Sequence, residues 1–325
     1  MKIIVTGGSG FIGTNLIQRL INDKIDVLNI DKNPPRNVSH TLVWLKGDIC
    51  NFEFLEKTFS EFQPEIVIHL AARTDLDGRS LTDYSANVEG LNNLIECCNL
   101  SKTTKRVLFT SSMLVCRLGY QPKNDEDYCP ATIYGESKVL GERLVREKIR
   151  SDLDWVLLRP TSLWGPWFDV PYRSFFDAVR SGMFIMPRKY EVWRSYGFIL
   201  NSIEQILALI YTNDNKAMYR VHYLADYQPI ELYEWSKEII RVSKKGRVYK
   251  APFIFLKSLA LFGDLLQILG FKSPPLTSFR LNNMLTNAIY NLDSWHNLCN
   301  EQKYNMKEGV ALTVDWLENV NSRSE

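Results

Sequence analysis

Short apolar runs alternate with longer stretches of helical periodicity through the first half of this 325-residue chain. Lys2–Thr6, Asp26–Asp31, Ile66–Leu70 and Arg106–Thr110 read as buried strands, and Thr41–Leu45 is a further candidate. Between them, Phe11 to Asn22, Asn51–Phe62 and Ser85–Leu100 carry apolar residues three and four apart, the spacing of helices buried along one face. Gly135–Lys148 continues as a helix with a hydrophilic outer face. Trp155–Arg159 reads as a strand ending at Pro160, which has no N–H to give a ladder. Strands separated by helices call for βαβ units and a parallel sheet.

From about Trp164 the elements shorten and aromatic residues and prolines become more frequent. The expected architecture is therefore an α/β, doubly wound parallel sheet over 1–165. A smaller, interwoven C-terminal substrate-binding lobe follows over 166–325, with some segments returning to the first domain. The sequence contains no linker, low-complexity tract or internal repeat. Phe253–Phe271 stands out, with thirteen apolar residues in nineteen, interrupted by Lys257, Asp264 and Gln267. A spanning helix needs roughly 20 predominantly apolar residues, and charges within it are costly. One or two helices packed on the protein are expected, with a substrate channel or monotopic membrane contact as the alternative and no stable membrane span.

Composition removes several function classes. The chain is 45% hydrophobic and 12% aromatic, enough for a sizeable core. Its 39 basic and 37 acidic residues nearly cancel, which argues against a polycation working on nucleic acid. Six cysteines are too dilute for a disulfide scaffold, and neither they nor the four histidines show zinc-site spacing, so no metal is expected. A reduced, cytoplasmic compartment fits this cysteine usage. Met1-Lys2 runs directly into a short apolar strand, without the long apolar region and cleavage site of a signal peptide.

The chemistry begins at Gly7-Gly8-Ser9-Gly10-Phe11-Ile12-Gly13, between the first strand and the first helix. Gly7 permits the turn, Gly10 lets the backbone approach a pyrophosphate, and Gly13 keeps the helix close to the sheet. Amides of the first helical turn, at Phe11 and Ile12, then face the negative charge. Strand, glycine turn and helix together predict a Rossmann-type dinucleotide site. Asp31 follows Gly10 by 21 residues, at the end of the second strand. Its carboxylate suits the adenosine ribose diol and repels a 2′-phosphate, so NAD is favoured over NADP; Lys32 and Arg36 are the cations that work against that preference. Asp48, followed by Ile49, is a candidate acceptor at the adenine edge.

Tyr134 and Lys138 are four apart, hence on one face of a helix. An ammonium beside a phenol stabilises the phenolate and makes it a usable base. Such a tyrosine takes the proton of an alcohol as its carbon loses hydride, and returns it on re-reduction. Ser112 lies at the exit of the Arg106–Thr110 strand, where sheets of this kind open their crevices, and is placed to hydrogen-bond the same oxygen; Ser111 is the competing register. A Ser-His-Asp hydrolase is disfavoured, because no GxSxG surrounds Ser112 and no histidine has a supporting context.

The glycine turn, Gly47-Asp48-Ile49, His69-Leu70-Ala71-Ala72, Asn87, Ser111-Ser112 and Tyr134-Gly135-Glu136-Ser137-Lys138 follow one another in order, continued by Arg159-Pro160 and Gly165-Pro166. Together they resemble the extended short-chain dehydrogenase/reductase family, in its NAD-dependent epimerase/dehydratase branch. The resemblance is strong to about residue 166 and looser beyond. It implies Ser112, Tyr134 and Lys138 as the catalytic group, with Ser112 assigned by the family's Ser-Ser-x-x-Val pattern. It also implies cofactor contacts from Lys138 to the nicotinamide ribose and from Lys32, Ile49, Leu70, Ala71, Ala72 and Asn87. Substrate contacts would come from Arg73, Ser112, Met113, Tyr134, Ser162 and Arg194, the last where relatives grip a nucleotide-sugar diphosphate. The Tyr134–Arg150 helix could form a two-helix homodimer surface or lie on one protomer.

Dehydratases of the resembled branch place an acidic pair after the catalytic Ser/Thr, where this chain has Met113-Leu114; dehydration would need Glu136 or another carboxylate to compensate. The reading is an NAD-dependent epimerase of a nucleotide-diphosphate sugar, acting through a keto-sugar at C4. A nucleotide-sugar ketoreductase shares the same half-reaction. Ser162 and Trp164 stand where relatives carry Asn and Tyr, which weakens the sugar assignment. Pro274-Pro275-Leu276-Thr277 and the apolar stretch before it resemble the hydroxysteroid dehydrogenase branch, making a lipophilic alcohol the rival substrate. A non-catalytic NAD-sensing scaffold is the minor alternative.

Overall fold

The computed structural model describes residues 1–321 apart from 171, 272, 273, 275, 296, 297 and 300. Pro275 of the proline pair and His296 therefore lie outside the described residues. The chain forms two compact units. One comprises 1–163, 197–225 and 291–303, and the other 164–196, 226–290 and 304–325.

The first unit is built on β1 (Lys2–Thr6), α1 (Phe11–Asn22), β2 (Asp26–Asp31), β3 (Trp44–Lys46), α2 (Phe52–Phe62), β4 (Ile66–His69), α3 (Leu91–Leu100), β5 (Arg106–Thr110), α4 (Ile133–Lys148), β6 (Asp154–Pro160), α5 (Ile199–Tyr211) and β7 (Arg220–Leu224). Its seven strands pair in the order β7-β6-β5-β4-β1-β2-β3, all parallel. Strand order reverses between β1 and β4, so the loops leaving their carboxyl ends diverge and open a crevice. The register brings Thr6 level with His69, and His69 level with Phe109. Ile3, Ile4, Val5, Val67, Ile68, Val107, Leu108 and Val156 are fully or almost fully buried, as expected of strands covered on both faces.

Two expected elements differ in detail. Thr41–Leu45 divides into a 3-10 turn, Val38–Val43, and the short β3, because Asn37 captures the Ser39 N–H and Trp44 Nε1 donates to the Asp31 carbonyl. The helix expected over 85–100 begins as a π turn, Ala86–Gly90, before α3. That wider turn carries Asn87, whose amide pairs with the backbone of Arg73.

The second unit contains helices Tyr172–Arg180, Leu232–Ser243, Phe253–Ile268, Ser278–Leu285 and Met306–Asn321. Trp164, Phe176 and Trp235 form a buried aromatic cluster, with the two indoles 5.1 Å apart between ring centroids. The apolar 253–271 segment departs from a fully packed helix. Phe253–Ile268 buries only Leu256, Ala260 and Gly263, against a cluster that includes Leu281 and Leu285. No helix among the described residues is long and apolar enough to cross a membrane.

Candidate active site

The glycine turn leaves β1 with Gly7 in the left-handed region, at φ 74°. A Cβ there would lie 2.5 Å from the Ala71 nitrogen, so the turn packs directly on the Leu70-Ala71-Ala72 exit of β4. Leu70 N–H bonds to the Thr6 carbonyl and Ala71 N–H to Thr6 Oγ1, holding this pair of loops together. At Gly10, by contrast, a Cβ would meet only the Gly7 carbonyl, at 3.3 Å. Gly10 is also the N-cap of α1 and makes no side-chain cap bond. A glycine-bounded helix N-terminus of this kind, with Phe11 and Ile12 in its first turn, fits a dinucleotide pyrophosphate.

Asp31 ends β2 with its carboxylate accepting the Ser9 N–H at 3.0 Å and the Asn33 N–H at 2.9 Å. Its acid group is thereby fixed against the glycine turn, and each oxygen keeps a lone pair for a ribose diol. Lys32 is paired with Asp48 at 2.8 Å, which raises the lysine pKa through that hydrogen bond. Burial opposes ionisation of Asp48, but Lys32 and the Cys50 N–H outweigh it and hold the carboxyl below its usual range. Lys32 is thus already engaged by a carboxylate. Asp31→Ala is expected to weaken NAD binding about tenfold or more and to narrow the preference over NADP, measured by titration calorimetry with each cofactor. An unchanged NAD affinity would remove Asp31 from the cofactor site.

β5 exits through Thr110 into Ser111-Ser112. Ser112 caps the 3-10 turn Met113–Val115, its Oγ accepting the Leu114 N–H at 3.1 Å. The hydroxyl proton remains available to donate. Ser111 differs: its hydroxyl donates to Glu142 Oε1 at 2.6 Å. Thr132 caps α4 by accepting the Gly135 N–H. A Cβ at Gly135 would fall 2.4 Å from the Leu114 carbonyl, so the Ser112 turn and the first turn of α4 meet backbone to backbone. This close approach sets the turn capped by Ser112 against the first turn of α4, which carries Tyr134. Tyr134 and Lys138 are both buried, with Lys138 Nζ 6.0 Å from the phenol ring centroid and donating to the Thr110 carbonyl at 3.0 Å.

Burial pushes Lys138 down to about 8, partly offset by the Glu142 charge. His69 is fully enclosed, with Nδ1 at 2.8 Å from Thr6 Oγ1, and burial together with the Lys138 charge pushes it down to about 3. It is a neutral packing group. Lys138 titrates near 8 in the folded chain and at its ordinary 10.5 when unfolded, so the unfolded chain binds more protons between those values. The burial penalty is fully present below pH 8 and is relieved as pH rises to 10.5. Stability of the native protein relative to Lys138→Met should therefore climb through this window, by up to about 1.4 kcal/mol per pH unit, in urea unfolding series. Parallel curves for the two proteins would contradict the shifted lysine.

Sequence reasoning missed the support beneath this group. Glu142, one turn beyond Lys138, is 1% exposed and receives Arg159 Nε and Nη2 at 2.8 Å each, with Tyr128 Oη at 3.0 Å. The signal was its spacing: Glu142 is four residues after Lys138 and eight after Tyr134, on the same helix face. The Thr110 carbonyl that holds Lys138 leaves no side-chain signature at all.

Other expected site residues have structural partners. The Asn87 amide accepts from Arg73 N–H at 2.8 Å and donates to the Arg73 carbonyl and to Ser137 Oγ, tying the β4 exit to α4. Arg73 forks onto the Asp75 carboxylate and also donates to the Asp83 carbonyl. Ile49 is buried against Gly90, and Met113 and Ser162 are buried as well. Arg194 lies in the second unit, where its guanidinium donates to the carbonyls of Asn283 and Thr286 at the end of the Ser278–Leu285 helix.

Residues 3–222 match the family model described as the NAD dependent epimerase/dehydratase family. The chain belongs to that family. As a member it is an NAD-dependent enzyme of the epimerase and oxidoreductase type, with a Rossmann-type fold. The chain is 26% identical over 262 residues to a 3-beta-hydroxysteroid dehydrogenase of Mycolicibacterium neoaurum, covering 74% of this chain and 69% of that protein. It is 23% identical over 324 residues to the N-acetyl-alpha-D-glucosaminyl-diphospho-ditrans,octacis-undecaprenol 4-epimerase of Escherichia coli O157:H7, covering 97% and 95%. Its fold is shared with the UDP-glucuronic acid 4-epimerase of Bacillus cereus, solved with UDP-glucuronic acid and NAD, at TM-score 0.74 and 19% identity over 98% of this chain and all of that one.

Proposed function

We propose that this family member is a 4-epimerase of a sugar carried on a nucleotide diphosphate. The observation that supports the reading most is the grouping of Ser112, Tyr134 and Lys138 at the carboxyl end of β5, followed by the acid-free pair Met113-Leu114. The glycine turn from Gly7 to Gly13, Asp31 and Lys138 would hold NAD, which when bound supplies reversible hydride acceptance. Tyr134 Oη takes the proton from the C4 hydroxyl during oxidation and returns it to the ketone oxygen after the sugar has presented its other face. Ser112 hydrogen-bonds to the same oxygen through its hydroxyl and orients it, keeping its own proton. The Lys138 ammonium, anchored on the Thr110 carbonyl, stabilises Tyr134 as the phenolate that takes this proton and that is regenerated when the proton is returned.

Dehydration requires an acid and a base beside the same serine. Met113 and Leu114 supply neither, and Glu136 is on the exposed side of α4 while Tyr134 and Lys138 are buried. Ser162 and Trp164, in place of an amide and a phenol, favour a sugar held differently from that of the resembled enzymes. The carrier is the open part of the assignment, since the near-full-length relative of Escherichia coli acts on a sugar joined through diphosphate to a polyprenol. A second reading, oxidation of a lipophilic secondary alcohol, is favoured by the likeness to the hydroxysteroid dehydrogenase over 74% of the chain.

The test is incubation of the purified protein with UDP-, GDP-, CDP- and TDP-sugars, resolving products by NMR while NADH absorbance is followed. A C4 stereoisomer without net NADH change supports the epimerase. Product formation only with stoichiometric NADH consumption identifies a ketoreductase. No conversion of these sugars, with turnover of a polyprenyl-diphosphate sugar or a sterol in parallel incubations, overturns the nucleotide carrier or the sugar itself.

A further inference from the structure

The outward face of the Phe253–Ile268 helix inverts the usual arrangement of a surface helix. Its buried stripe consists of Leu256, Ala260 and Gly263. The opposite side exposes Ile254, Phe255, Leu261, Phe262, Leu265 and Ile268, with Ile254 78% and Ile268 82% accessible. Leu269 and Phe271, which follow the helix, are exposed too, as is Phe279 on the Ser278–Leu285 helix. Soluble monomers rarely expose contiguous apolar surface of this kind without a binding role. Ser258 is the polar residue within the face, and its hydroxyl donates to the Ile254 carbonyl, so immersion would leave it hydrogen-bonded. Asp264 turns away to accept the Ser278 N–H.

The segments that lead into the helix are basic. Lys244, Lys245, Arg247 and Lys250 are exposed just before the helix, Lys257 lies on its rim, and Arg188 and Lys189 follow the strand Ile185–Pro187 that pairs with Tyr249–Ala251. Lys245 approaches Glu318 at 3.9 Å and Lys250 lies over the Tyr233 ring at 3.6 Å. We propose that this basic-rimmed apolar helix docks the protein on the surface of an anionic phospholipid bilayer, lying in the headgroup boundary. Apolar residues on one side with Lys and Arg beside them are the pattern of interfacial helices. Sixteen residues extend about 24 Å, short of the roughly 30 Å of a hydrocarbon core, so the helix lies along the surface and does not span it. Two-fold pairing with a second copy would set the same basic rim against itself, whereas an anionic headgroup layer complements it.

The test is flotation of the full-length protein with vesicles of phosphatidylcholine and phosphatidylglycerol, and with phosphatidylcholine alone. Wild type should float with the anionic vesicles and be released by salt. Ile254→Ser with Leu261→Ser and Phe262→Ser should lose partitioning by about tenfold or more, while NAD binding and circular dichroism stay unchanged. Lys244→Glu with Arg247→Glu, which leaves the apolar face intact, should lose the preference for phosphatidylglycerol. Tyr134→Phe should float like wild type, so a failed docking surface and a failed catalytic assignment are read separately. Wild type that stays unbound, or flotation indifferent to both sets of substitutions, overturns the proposal. Sedimentation showing a dimer abolished by Phe262→Ser, with no vesicle binding, overturns it in favour of a second copy.

Discussion

Tyr134→Phe is expected to lower turnover by about a thousandfold and to leave NAD affinity within about threefold, measured by single-turnover NMR and by cofactor titration. The substitution deletes one oxygen from a buried ring that packs 6.0 Å from Tyr84 between centroids, so no cavity opens and the fold persists. Lys138 remains anchored on the Thr110 carbonyl, and the glycine turn is untouched. What disappears is the oxygen proposed to accept and return the proton. Ser112→Ala is expected to cost less, because the proposed role of the serine is to orient the reacting oxygen without carrying its proton. A Tyr134→Phe enzyme within tenfold of wild type would mean that the acid–base group lies elsewhere.

The largest expected change in stability comes from Glu142→Ala, a loss of about 3–5 kcal/mol in urea unfolding. Arg159 and Glu142 are each 1% exposed and joined by two bonds of 2.8 Å, with Ser111 and Tyr128 completing the carboxylate. Removing the carboxylate strands a guanidinium where water does not reach, and the desolvation already incurred has no counterpart. Arg159→Met combined with Glu142→Leu should restore most of the loss, since an apolar pair of similar volume escapes that desolvation. The single variant carries a second signature. Glu142 holds the Lys138 pKa up against burial, so its removal should move the alkaline limb of the pH–rate profile to lower pH. Equal stability of Glu142→Ala and wild type would contradict the buried pair.

The sheet and the helix carrying Tyr134 and Lys138 were legible because their signals are local. Apolar runs such as Lys2–Thr6 and Arg106–Thr110 have few other structural outcomes, and the glycine turn announces the β1–α1 junction. Tyr134 and Lys138 were readable from one helical spacing. Glu142 was not, because a charged residue in a hydrophilic helix reads as solvated until Arg159, 17 positions away, is known to reach it. The π turn at Ala86–Gly90 depends likewise on the distant backbone of Arg73. Arg194 was readable as a cation suited to diphosphate; its bonds to the Asn283 and Thr286 carbonyls depend on a helix some 90 residues further on. The segment after Phe253 was read correctly as helical and apolar, but periodicity alone did not reveal that its larger side chains face outward.

The most direct measurement follows a deuterium atom placed at C4 of the nucleotide sugar during turnover by the enzyme as purified. Removal and return of one hydride within a single binding event should give the C4 epimer with the deuterium retained at C4, no label in unlabelled NADH added to the medium, and no net NADH. Epimer that exchanges its C4 label with added NADH would contradict a retained cofactor, and epimer that loses the label to water would contradict hydride transfer at C4 and the roles assigned to Tyr134 and Lys138 in it.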